Sequence, residues 1–301
     1  MQAHHSLTLG PVQYNWSPEI WRDFYFRIAD EAPVDIVYVG ETVCSKRQPF
    51  YQSVLPDVIE RLSGAGKQVV LSTLAVNSLP REESYLRATA EDCSFPLEAN
   101  DITALPLLTG QEFVVGPFVN VYNESTASYL QRQGASRVCL PTEISLQSIQ
   151  KIAQAVDIDI EVQVFGKLPL AVSGRCYHAR AHNLHKDNCQ YVCEQDPDGM
   201  EVRTLDNDNF LTVNGIETLT GGYANLAGDL KSLTSAGVSH FRIWPQQVDM
   251  VAITTIWSSL LRNEISEHEA MAKLAEKCQL DQFENGFLHG ISGRNYHLAT
   301  P

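Results

Sequence analysis

Hydrophobic positions along this chain fall in short continuous runs that alternate with stretches of helical spacing. Residues 7–14 read as a strand, and Ser17-Pro18-Glu19 then opens a helix, a capping hydroxyl followed by a proline that suits the first turn. The run DIVYVG at 35–40 has strand length, whereas 50–62 carries apolar residues at helical spacing and stops at Gly64 and Gly66. The unit repeats as strand 67–75 and helix 81–91, a weaker strand at 102–108, strand 113–120 and helix 124–133, strand 137–140 and helix 146–156, and strand 158–165. After a polar, cysteine-bearing stretch, 226–235 is helical, HFRIW at 240–244 is the last strand, and a C-terminal helical region starts at about 248.

Strands this continuously apolar suit burial on both faces. Close to eight β/α units predict an α/β fold, a (β/α)8 TIM-barrel-like domain with a C-terminal helical extension. An open doubly wound sheet satisfies the same alternation, and the unit count favours the barrel. No Pro/Gly/Ser-rich linker divides the 301 residues. The expectation is therefore one barrel domain over 1–301, with a cysteine-bearing insertion at about 173–200 and a helical region at about 248–301.

Composition narrows the function classes. With 44% apolar and 19% charged residues the chain is an ordinary globular one. Its net charge of −14 would repel phosphate backbones, so nucleic acid is not an expected partner. The longest apolar stretches, such as 113–121, are broken by Gly and Pro far short of a bilayer span, so no transmembrane segment is expected. The N-terminus MQAHHSLTLGPVQYNW lacks the basic and apolar regions of a secretory signal, which predicts a cytoplasmic protein. Seven cysteines in a reducing compartment favour metal binding or catalysis over disulfides, and an odd count excludes complete internal pairing.

Three of them, Cys176, Cys189 and Cys193, lie within SGRCYHARAHNLHKDNCQYVC, after the seventh candidate strand. Loops after barrel strands gather at the face where active sites form. On a helix, Cys189 and Cys193 would share one face, one turn apart. Cys44, just beyond the second strand, reaches the same end of a barrel; Cys139, ending a strand, is the rival fourth ligand, although a lone cysteine in an apolar strand is usually a small core residue. Cys93 and Cys278 read as helical residues remote from this group. Four thiolates suit tetrahedral zinc or an iron–sulfur cluster. The paired knuckles of structural zinc are missing, which leans towards iron and sulfur, and spacing alone goes no further. His178, His182 and His185 have the spacing of one helical face, fit for a second metal or for carrying protons, though such residues are more often simply exposed.

The stretch from Glu161 through Phe165-Gly166-Lys167 and Pro169 to Ser173-Gly174-Arg175-Cys176 resembles the signature of the collagenase-like peptidase family U-32, whose members read approximately E-x-F-x-H-G-A-x-C-x-x-x-S-G-R-C. Phe165 stands where the family has His, and Pro169 where it has its first signature Cys. The variant Gly-Lys-Leu-Pro-Leu is similar to that of the subfamily serving oxygen-independent ubiquinone synthesis. That resemblance implies a [4Fe-4S] cluster held by Cys44, Cys176, Cys189 and Cys193, with Cys44 replacing the ligand lost at Pro169. It also implies a paralogous UbiU-like partner in a heterodimer, a lipid-binding accessory protein, and ring hydroxylation without dioxygen, with prephenate as the suspected hydroxyl source. Two other readings stand beside it. One is a peptidase, as the family name suggests, although the chain has neither an HExxH nor a GxSxG motif. The other is a non-catalytic subunit whose cluster relays electrons or supports the fold.

Overall fold

The computed structural model describes residues 5–92, 94–280 and 282–297. On each strand of the main sheet, side chains alternate between two cores. Val37 and Val39 of one strand join the large core that packs against helices, while Ile36 and Tyr38 of the same strand join Val70 and Val114 in a small cluster inside the ring. Seven parallel strands run in sequence order: β1 (Ser6–Leu9), β2 (Ile36–Gly40), β3 (Gln68–Ser72), β4 (Leu97–Ala99), β5 (Phe113–Val115), β6 (Ala135–Cys139) and β7 (Asp159–Gly166). A separate four-stranded antiparallel sheet follows, β8 (Pro169–Val172), β9 (Met200–Arg203), β10 (Asn209–Asn214) and β11 (Glu217–Thr220), in the order β8-β11-β10-β9. The short β12 (Ala224–Asn225) pairs antiparallel with β7. Finally β13 (His240–Ile243) lies parallel between β7 and β1 and closes the ring. The molecule is thus an eight-stranded parallel barrel of the TIM type, as the apolar runs predict.

The helices form for ordinary reasons. Ser17 Oγ accepts the Ile20 N–H at 3.3 Å, Pro18 occupies the first turn, and Pro18–Glu31 then buries Trp21, Tyr25, Ile28 and Ala29 against the barrel. Each such side chain contributes about 1.5–3 kcal/mol by leaving water. Met250–Leu261 and Glu267–Cys278 supply the C-terminal helices; from 282 to 297 the chain runs in turns and loops. No helix among the described residues is long and apolar enough to cross a membrane.

The barrel interior is ionic at mid-height. Arg242 is fully buried, 2.6 Å from Glu98 and 2.8 Å from Glu161, with its guanidinium carbon 3.9 Å from the centre of the Tyr38 ring. Tyr38 donates to Glu161 at 2.8 Å and accepts from Arg137 at 3.0 Å, and Thr8 donates to Glu161 as well. Cys139 is fully buried in this interior, close enough to Arg242 and Glu161 to feel their charges.

Residues 102–108 correct the strand expected there. Asp101 caps a 3-10 turn, Ile102–Ala104, through Thr103 N–H at 2.8 Å, and Pro106 then starts the one-turn helix Leu105–Leu108. Ile102 is 67% exposed, so the apolar run faces solvent in part rather than a core. The true fourth strand is β4, only three residues long and carrying Glu98. The helix expected over 50–62 is two, Gln48–Tyr51 and Leu55–Gly64, and β1 stops at Leu9.

Candidate metal centre

β2 delivers the first cysteine. Its last residue, Gly40, has φ of +135°, and a Cβ there would stand 2.5 Å from the Ser72 carbonyl oxygen, so only glycine lets β2 leave the barrel this close to β3. Glu41 follows, buried; its Oε1 accepts the N–H groups of Val43 at 2.8 Å and Cys44 at 2.9 Å, and its Oε2 accepts the Tyr51 hydroxyl at 3.1 Å. These bonds set the turn that presents Cys44, whose carbonyl accepts the Arg47 N–H at 2.9 Å.

The other three cysteines come from the segment between β7 and β13. Cys176 precedes the short helix Tyr177–Ala181, and its Sγ accepts the Ala179 N–H at 3.4 Å. Cys189 and Cys193 do not share a helical face, contrary to what their spacing suggests. Gln190 and Tyr191 between them have φ of +49° and +53°, a left-handed break that leaves Cys189 at the end of the 3-10 turn Lys186–Asn188 and Cys193 within Val192–Gln195. Lys46 Nζ donates to the Lys186 carbonyl at 2.5 Å, tying this segment to the loop after β2.

All four cysteines line one pocket of about 370 Å³, with Arg47, Lys186, Tyr191 and Gly215 among its other walls. Arg47 is buried at the floor, where Nη1 donates to the Gln13 carbonyl at 2.6 Å and Nη2 to Asn214 Oδ1 at 2.9 Å. Gly215 has φ of +64°, and a Cβ there would reach within 3.0 Å of Arg47 Nη2. Burial works against the Arg47 charge, yet Cys193, Glu41 and Cys44 outweigh it and hold its pKa above the usual value. Burial pushes the Cys44 and Cys176 thiols up, against the opposing pull of Arg47 on the first and of the Ala179 N–H on the second. Thiols so placed give up their protons when a metal takes them.

The residues fit a polynuclear cluster better than a single ion. Tetrahedral zinc with bonds of about 2.3 Å needs its sulfurs about 3.8 Å apart. Among the described residues the set of three or more ligand atoms lying within 4.8 Å of one another is His178, His182 and Asp196, and no three of the cysteines form one. A pocket lined by four thiols that do not gather round one point suits a body of several atoms. Arg47 Nε is buried without a partner among the described residues, a donor that an anionic cluster would satisfy.

His178 has a structural contact of its own. His178 is fully buried, its Nδ1 accepting the Gly215 N–H at 3.4 Å, so Nε2 carries the proton and donates to Asp196 at 2.7 Å. Burial lowers its pKa and keeps it neutral as a brace between the cysteine segment and the β10–β11 turn. His182 stacks on it at 6.1 Å, and His185 stands before the 3-10 turn Lys186–Asn188. Cys139 and Cys278 do not line the pocket, and Cys93 lies outside the described residues.

The model of peptidase family U32 matches residues 24–297. The chain belongs to that family. Among curated proteins it is similar to tRNA hydroxylation protein P1 of Bacillus subtilis, 26% identical over 189 residues that cover 57% of this chain and 44% of that one. It is also similar to the 23S rRNA 5-hydroxycytidine C2501 synthase of Escherichia coli, 29% identical over 182 residues, covering 58% of this chain and 24% of that one. The matches thus span less than half the length of these relatives. Among solved structures it is similar to the phospho-2-dehydro-3-deoxyheptonate aldolase of Thermotoga maritima, with 12% identity, 93% of this chain and 71% of that one covered, and a TM-score of 0.46.

Arg47, Glu41 and a polar floor beneath them escape a reading by motif. Glu217 of β11 is fully buried, and its carboxylate accepts Gln13 Nε2 at 2.7 Å and Asn214 Nδ2 at 3.1 Å, so it reaches Arg47 through Asn214. Burial pushes its pKa up to about 8. Arg47 leaves one signal, a cation three positions after a cysteine at a strand end; Gln13, Asn214 and Glu217 leave none, being distant in sequence.

Proposed function

We propose that this chain is a [4Fe-4S] cluster-binding subunit of the UbiV type, acting with a UbiU-like paralogous partner in oxygen-independent hydroxylation of ubiquinone precursors under anaerobic conditions. The observation that carries the reading is the meeting of Cys44, Cys176, Cys189 and Cys193 on one pocket, beside a buried arginine with a free donor. Relatives named for hydroxylation support the reaction class. Their names refer to RNA, whereas a net charge of −14 opposes a polyanionic substrate here. The proposed setting is the cytoplasm, with a lipid-binding accessory protein presenting the apolar precursor.

The four cysteines would hold the cluster, which supplies one-electron redox chemistry when bound. Arg47 offsets the negative charge of the thiolates from below. Glu41 and Lys46 keep the Cys44 loop closed on the cysteine segment, and His178 braces that segment against β10 and β11.

Anaerobic co-purification with the partner, followed by iron and sulfide analysis, tests this. About four irons and four sulfides per chain are expected, lost in Cys44→Ala and kept in Cys278→Ala. A colourless protein holding one zinc ion, or a Cys44→Ala variant with full iron content, refutes it.

A further inference from the structure

Three side chains beside the cysteine pocket carry ligand atoms that all lie within 4.8 Å of one another, a ring nitrogen each of His178 and His182 and a carboxylate oxygen of Asp196. His178 sits inside the short helix Tyr177–Ala181 and His182 caps it, so the two rings leave one face a turn apart. Their centres are 6.1 Å apart and their planes 13° from parallel. Asp196 comes from the other end of the cysteine segment, just past the turn Val192–Gln195, where its N–H donates to the Cys193 carbonyl at 3.4 Å. His178 is fully buried, Asp196 half-buried and His182 exposed, so the group has one fixed side and one open side. Of the three, only His178 also lines the pocket of the four thiols.

The donor set selects its cation. Two imidazoles and one carboxylate suit zinc and its neighbours in the first transition row, whereas magnesium and calcium take oxygen donors. Tetrahedral zinc, with bonds of about 2.0–2.2 Å, places its ligand atoms about 3.4 Å apart. His178 Nε2 and Asp196 Oδ2, at 2.7 Å, need only separate slightly. His182 closes the remaining distance by rotating an exposed side chain whose ring makes no hydrogen bond among the described residues. Without a cation, the Nε2 proton bridges His178 to Asp196. A cation takes that proton's place and moves the ring proton to Nδ1, at the expense of the Gly215 N–H contact, which at 3.4 Å is long for a hydrogen bond. Three protein ligands leave a fourth position, on the exposed side, for water.

We propose that His178, His182 and Asp196 form a second metal site, for one zinc-like divalent cation, that ties the helix after Cys176 to the turn after Cys193. None of its ligands is a cysteine, so the site stands independently of the cluster proposed above. A cation bridging positions 178 and 196 closes the chain between them into a loop, and that loop carries Cys189 and Cys193. Two of the four pocket thiols would thus be held on a restrained segment rather than a free one.

Free thiols also take zinc, so the test removes them from competition in two ways. The anaerobically purified, cluster-loaded chain is titrated with zinc, and a chain carrying Cys44→Ser, Cys176→Ser, Cys189→Ser and Cys193→Ser is titrated with zinc and with cobalt(II). One ion per chain is expected in each, and the cobalt spectrum should show the weak visible bands of nitrogen and oxygen ligands without intense sulfur-to-cobalt absorption. His182→Ala changes an exposed residue, and Asp196→Asn keeps an acceptor for His178. Each should weaken binding at least about tenfold while circular dichroism stays that of the parent chain. Trypsin cleavage after the exposed Arg180 reads the tie: zinc should slow it about tenfold in the loaded chain and leave it unchanged in His182→Ala. No zinc bound by the loaded chain, or binding untouched by both His182→Ala and Asp196→Asn, overturns the site, and bound zinc that leaves cleavage unchanged overturns the tie. A parent chain that takes zinc on its cysteines and no iron refutes the cluster reading alone, and the four-serine chain then decides this one.

Discussion

Glu217 makes the stability of this protein depend on pH in a way its sequence does not suggest. The residue is fully buried under Arg47 and keeps its proton up to about pH 8 because burial disfavours the carboxylate. In the unfolded chain the same group ionises near its ordinary value of about 4.3. Between those two values the folded state binds one more proton than the unfolded state, so stability falls as pH rises and is fully present only below the unfolded pKa. Each pH unit in that window costs about 1.4 kcal/mol. From about pH 5 to about pH 9 the Glu217 contribution therefore declines by on the order of 4 kcal/mol, a large share of a typical folding free energy of about 5–15 kcal/mol. Glu217→Gln keeps the shape, accepts from Asn214 Nδ2 and can donate to Gln13 once that amide turns its oxygen inward, and it removes the titration. Urea unfolding of both proteins at about pH 5, 7 and 9 should give curves that diverge, the variant gaining on the parent chain as pH rises. Other raised carboxyls, Glu41 among them, move both proteins alike and cancel in the difference. Curves that stay parallel within about 1 kcal/mol across that range would refute the reasoning.

Two further outcomes follow from the barrel. Arg242→Met strands Glu98 and Glu161 in the interior, so thermal unfolding should show a loss of about 3–5 kcal/mol, with much of it restored when Glu98→Gln and Glu161→Gln are added. Burial alone would raise the Glu161 pKa, but Arg242 and Arg137 hold it down to about 2; the stability this supplies is present above about pH 4.5 and fades as pH falls towards 2, an acid loss that the triple variant should lack. Gly40→Ala places a Cβ against the Ser72 carbonyl in a left-handed backbone, and should cost more than about 1 kcal/mol by denaturant unfolding and lower iron content after anaerobic purification, because the Glu41 turn that presents Cys44 moves with it.

The barrel was legible where its strands obey the rule for parallel sheets. β2 is buried on both faces and reads as an apolar run, while β7 shows alternating apolar residues with Glu161 and Gln163 buried between them. β4 was not, because three residues carry too little pattern and the middle one is a glutamate. Glu98 is tolerated inside because Arg242, far along the chain, neutralises it, a pairing that no local window contains. The sheet β8–β11 was equally hidden. Its strands are short, β9 runs half-buried, exposed, half-buried, exposed, and they lie inside a stretch whose polarity reads as loop.

The same distinction between residue types and long-range pairing applies to the candidate metal centre. Cysteine is rare enough that three of them between 176 and 193 suggest a metal without any geometry, whereas the choice of Cys44 over Cys139 comes with the family resemblance. Their arrangement does not follow from spacing, since Cys189 and Cys193 reach the pocket through two left-handed residues rather than one helical face. Arg47 helps join the barrel to the inserted sheet, bonded to Gln13 just after β1 and to Asn214 at the end of β10, beside a direct bond from Gln13 to Glu217 of β11. The inserted sheet therefore supplies Asn214 Oδ1, one of the two acceptors that hold a cation beneath the thiols. A chain with the four cysteines and without that sheet would leave Arg47 half-paired, and the cost of burying its charge would fall on the site itself.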